Sequence, residues 1–115
     1  MMAAAKHNII VSRGEDFSFT LTVADSSNAI DVSNNTFKAE IRRGSGKPLV
    51  TSFDVTLTTP LSGIVDFKLP KAKTLLLDAN VNYKWDLFRT DDDANTTTTR
   101  LIYGDVKVEG NITDI

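Results

Sequence analysis

Asp91-Asp92-Asp93-Ala94-Asn95 is the one dense run of carboxylates in this chain. Oxygen-rich loops suit calcium, which takes about six to eight hard ligands. The EF-hand spacing is missing, with no glycine at its sixth position and no glutamate at its twelfth. Adjacent aspartates at a hairpin tip ordinarily form solvated turns, so no metal is expected. His7 is the single histidine and there is no cysteine. A general base needs an orienting partner and a nucleophile needs a base beside it, so histidine-based hydrolase triads are not expected. Gly44-Ser45-Gly46-Lys47 matches part of a phosphate-cradling loop, but the full glycine spacing is lacking and Pro48 and a strand follow where a helix should. A mobile hairpin is the better reading. Nothing singles out two carboxylates for glycoside hydrolysis. The expectation is a non-enzyme with no cofactor and no small-molecule substrate.

Any working surface must therefore come from the scaffold, and the scaffold is written in period two. Phe17, Phe19, Leu21 and Val23 alternate with Ser18, Thr20 and Thr22, and Val106 and Val108 alternate with Asp105, Lys107 and Glu109. Side chains switch faces at each strand residue, so these are strands with one face on a core and one in water. Strands are expected at 8–11, 17–24, 36–42, 49–58, 64–69, 83–90 and 97–112, punctuated by turn residues and prolines. Ile30 and Val32 flank Asp31 as apolar pegs at the end of the core. Lys71 to Leu77 is the one helical piece. About seven strands with turns at this spacing imply an all-β fold, an immunoglobulin-like antiparallel β-sandwich with one short helical turn near 71–77. Tyr83-Lys84-Trp85 has the layout of a tyrosine corner, in which the phenol bonds back to the upstream loop. Residues 1–7 read as a flexible leader and 8–115 as a single domain. The terminal strands 8–11 and 101–112 are the expected sheet edges.

Size and charge narrow the function classes. At 115 residues and 12.6 kDa the chain supports one two-layer core. A net charge of −2 gives no general attraction to nucleic acid or anionic lipid. No stretch has the ~18 apolar residues of a membrane span, and the first residues lack the apolar run of a signal peptide. Without cysteine, stability must rest on apolar burial and strand pairing. Phe88 and Tyr103 are out of phase with their inward neighbours, and exposed aromatics can anchor a protein interface. Interface candidates are these two, with Arg42, Arg43 and Lys47 around the flexible hairpin and Asp91, Asp92 and Asp93 at the opposite loop.

The order of motifs resembles a known family. Arg13-Gly14-Glu15-Asp16-Phe17, Phe37-Lys38-Ala39-Glu40-Ile41-Arg42, Tyr83-Lys84-Trp85-Asp86-Leu87 and the closing run from Arg100 to Thr113 are similar to small immunoglobulin-like β-sandwich domains of tailed-phage virion structural proteins. These include domains related to the N-terminal domain of baseplate upper proteins. Departures are the link Asp31-Val32-Ser33-Asn34-Asn35 and the pair Asn80-Val81. The resemblance implies a non-enzymatic structural protein of the tail, baseplate or neck. It would be assembled in the host cytoplasm, and several copies would dock on other virion proteins, with no nucleic acid and no membrane. Alternatives on the same fold are a carbohydrate or host-surface binding module and a capsid decoration protein.

Overall fold

The computed structural model describes residues 4–25, 28–91 and 97–112. In chain order the strands are β1 (Ala5–Lys6), β2 (Ile9–Ser12), β3 (Phe17–Thr22), β4 (Ala24–Asp25), β5 (Asn28–Ala29), β6 (Asn35–Arg42), β7 (Leu49–Ser52), β8 (Asp54–Thr59) and β9 (Ile64–Leu69). A one-turn helix α1 (Lys71–Thr74), β10 (Tyr83–Asp91) and β11 (Thr97–Glu109) complete the set. The larger sheet runs β1-β11-β10-β6-β7, with β2 also on β11; the smaller runs β3-β9-β8. Together they form a β-sandwich, as the alternation predicts.

Its core is built on aromatic rings. Phe19 stacks on Phe67 with ring centroids 5.0 Å apart and meets Phe53 and Trp85 edge-on, both at 5.7 Å. These offset and edge geometries add to the area each ring buries. Val11, Ile41, Val65, Leu69, Leu77 and Leu87 are fully enclosed around them. Val32 is also fully buried, so the peg expected at the end of the core is in place. The Tyr83 phenol oxygen accepts the Asp78 backbone N–H at 2.8 Å, which is the tyrosine corner read from the sequence.

Four expectations need correction. The strand expected at 49–58 is two strands. The chain leaves the larger sheet after Ser52, drops the buried Phe53 into the core, and continues as β8 in the smaller sheet. Secondly, the pairing is not wholly antiparallel, because β1 and β2 both run parallel to β11. Residue 4 onward is thus no loose leader up to residue 7: His7 N–H donates to the Tyr103 carbonyl at 2.8 Å, between the two pairings. Thirdly, β11 is interior, held between β10 and the N-terminal strands, so 101–112 forms no sheet edge. Finally, the helix stops at Thr74, and Leu75–Leu77 follow as a turn in which Leu77 is buried and Leu76 exposed.

The motif Arg13-Gly14-Glu15-Asp16 explains that turn. The Arg13 guanidinium donates to the Leu77 carbonyl at 3.0 Å, the Leu75 carbonyl at 3.2 Å and Asn111 Oδ1 at 2.9 Å. Gly14, at φ 89°, donates its N–H to Thr74 Oγ1, and Asp16 Oδ1 accepts the Lys71 N–H at 2.7 Å. A helix this short cannot hold itself. Its terminal groups are satisfied from outside, by the β2–β3 loop.

Candidate functional site on the outer face of the larger sheet

The register of the larger sheet sets outward side chains in rows across β6, β10 and β11. Lys38, Phe88 and Arg100 form one row; Glu40, Asp86 and Tyr103 the next; Arg42, Lys84 and Asp105 the third. Lys6 of β1 extends the middle row beside Tyr103. A bulge on β11 makes this alignment possible. Leu87 pairs with Ile102 but Phe88 with Arg100, so Leu101 is the extra residue. One inserted residue reverses the facing on either side of it, so both Arg100 and Tyr103 come to the outer face.

Together with the tip of the Gly44–Gly46 hairpin, these rows line an open basin of about 780 Å³. Most of its charges are locally matched. Glu40 accepts from Arg42 at 2.9 Å and lies 3.5 Å from Lys38, and Lys84 pairs with Asp105. The bond from Arg42 holds the Glu40 carboxyl below its usual range, with Lys38 assisting, and the bond from Lys84 does the same for Asp105. Arg100 lies over the Tyr103 ring, 4.7 Å from its centroid. Such a contact is worth about 0.5–1 kcal/mol at an exposed site and favours this placement of the guanidinium.

Asp86, at the centre, behaves differently. Burial pushes its carboxyl above the usual range, Glu40 adds to the effect, and Arg100 and Arg42 pull against it. The folded chain therefore holds a proton there at higher pH than the unfolded chain does. Ionised Asp86 opposes folding at neutral pH, and this cost disappears as pH falls below the carboxyl's ordinary value. Asp86→Asn should accordingly raise the thermal midpoint at pH 7 and leave it nearly unchanged near pH 3. Melting curves across that range check the difference, and an equal gain at both ends would contradict it.

The structure sorts the residues singled out from the sequence. Arg42, Phe88 and Tyr103 meet on this face. Phe88 is an exposed aromatic, as its phase implied. Lys47 takes part through its carbonyl, which accepts from Arg42 at 2.7 Å. Arg43 turns away and lies 4.0 Å from Asp78. Asp91 is not on the outer face. It accepts from Asn35 Nδ2 at 3.4 Å beside Arg89, in a polar plug at one end of the sandwich. Asp92 and Asp93 lie outside the described residues.

Lys38, Glu40, Lys84, Asp86, Arg100 and Asp105 belong to the face but were not singled out. All but Arg100 could have been found from the outward phase of their strands. Arg100 depended on the bulge. Five basic side chains face three acidic ones around the basin, on a chain of net charge −2. Among the described residues there is no group of His, Cys, Asp or Glu able to hold a metal ion. Aromatic and arginine side chains, the types enriched at protein interfaces, thus stand around the Asp86 carboxylate on this face.

Compared with known families, residues 3–109 match the model of the LtfC-like, beta-sandwich domain. No curated protein matches the chain.

Proposed function

Because the chain belongs to the family of LtfC-like β-sandwich domains, a bacteriophage-associated family, we propose that it is a non-enzymatic structural protein of the phage particle. In this reading it belongs to the tail, baseplate or neck. It docks on other virion proteins through the outer face of its larger sheet. The observation that carries this reading is the cluster of Phe88, Asp86, Arg100 and Tyr103 on an open face. A half-buried carboxylate and an exposed aromatic ring are each unfavourable on a purely solvated face. They become favourable when a partner completes them. The resemblance of its motifs to virion β-sandwich domains supports the same reading.

Two measurements test it. Purified particles should contain the chain, and electron microscopy should place it in the tail, baseplate or neck. Density on the head would favour the decoration alternative, and absence from particles would reject a virion role. Phe88→Ala with Tyr103→Ala should leave the isolated domain folded, since both side chains point outward. Hot-spot aromatics are worth about 2 kcal/mol or more each, roughly thirtyfold per residue, so in the double variant incorporation into particles should fall well beyond about thirtyfold. Normal incorporation of that variant would remove the outer face as the docking surface.

A further inference from the structure

The two sheets differ in width. Three strands face six, so the inward side chains at the β3 margin are only partly covered. Phe17, Phe19 and Leu21 are all half-buried, and a groove of about 330 Å³ runs between them and β1. A strand added beyond β3 would roof that groove.

Folded proteins protect their sheet edges with charges, prolines, bulges or short strands. Here the other margins carry such devices. β8 opens with Asp54, paired to Lys73 at 2.7 Å, and its register with β9 breaks between Thr56 and Thr59. β7 has four residues and follows Pro48. The N-terminal margin is interrupted between Lys6 and Ile9. β3 carries none of them. It reads Phe-Ser-Phe-Thr-Leu-Thr, has no charge and no proline, and holds an unbroken register with β9 from Phe17 to Thr22. Among the described residues, β9 is its sole strand partner.

We propose that β3 is an association edge and that its occupant is β3 of a second copy of this chain, paired antiparallel about a two-fold axis at Phe19. The strand is complementary to itself in that register. Phe17 falls opposite the second copy's Leu21, and Phe19 opposite its own counterpart, so the apolar side chains of both grooves meet. Ser18 falls opposite the second copy's Thr20 on the solvent side. Asp16, just before the strand, falls opposite Thr22, so no carboxylate meets another. The pairing is isologous, which closes the assembly at two copies and joins the smaller sheets into one. It stands independently of the particle in which the chain works and of its outer-face docking.

Sedimentation equilibrium of the isolated chain should show a concentration-dependent dimer. Ser18→Lys with Thr20→Lys, both on outward positions, sets like charges directly across the pair. The dissociation constant should rise at least about tenfold while the circular dichroism of the fold is kept. The chain has no cysteine, which allows a register test. An equal mixture of Ser18→Cys and Thr20→Cys chains should form a disulfide-linked pair of one copy of each under mild oxidation. Neither variant alone should cross-link comparably. A monomer at every concentration, a dimer indifferent to the lysines, or equal cross-linking of each cysteine variant with itself would overturn the proposal.

Discussion

Gly104→Ala should lower the folding stability by about 2–3 kcal/mol and release the N-terminal strands from β11. A Cβ at this position would stand 2.1 Å from the His7 carbonyl oxygen and 2.6 Å from its carbon. Both are backbone atoms, so no side chain can swing aside. The backbone of His7 is held there by more than the pairing of β1 and β2. Its carbonyl accepts the Trp85 indole N–H at 2.9 Å, and the neighbouring Asn8 side chain accepts the Asp105 N–H at 2.9 Å. Making room for a methyl group strains or breaks these bonds together. Urea unfolding should show the loss, and Trp85 emission should report the freed indole before the main transition. A variant with an unchanged midpoint and unchanged emission would contradict the account.

Arg13→Ala should cost on the order of 3 kcal/mol. Three acceptors lose a charged donor at once, two of them backbone carbonyls in the turn after α1. Hydrogen bonds to charged groups contribute about 1.5–3 kcal/mol each, and the sum here is less than additive because one side chain makes all three. Arg13→Lys should recover less than half of the loss, since an ammonium cannot reproduce the planar fork. Equilibrium denaturation of the two variants measures both quantities. Full recovery by lysine would mean that charge, and not the fork, holds the turn.

These two positions also show what the sequence could and could not convey. Alternation in Phe17–Val23, Phe37–Ile41 and Tyr83–Leu87 identifies inward and outward faces, because facing is a local property of a strand. The same phase argument turns Phe88 and Tyr103 outward, Phe88 exposed and Tyr103 half-buried. Which sheet a strand joins is not local. Nothing in Leu49–Thr58 says that Phe53 marks a change of sheet, and nothing near Ala5 says that its partner is Ile102. Charge at a loop was a weak guide to the site. Asp91 serves the polar plug with Asn35 and Arg89, and Arg43 leaves the face for Asp78. The residues that do share the face come from three strands, and they are brought together by register and by the bulge at Leu101.

The parallel pairing of β1 and β2 with β11 has a consequence for synthesis. Asn8 and Asp105, bonded to one another, are 97 residues apart. β1 and β2 therefore have no sheet partner until β11 has been made, and the larger sheet cannot close before then. Such long-range closure slows folding, because the entropy of a chain-length loop is lost before the contacts that reward it are made. A chain truncated before Thr97 would lack the strand that β1, β2 and β10 all require, and should behave as an open, protease-sensitive intermediate.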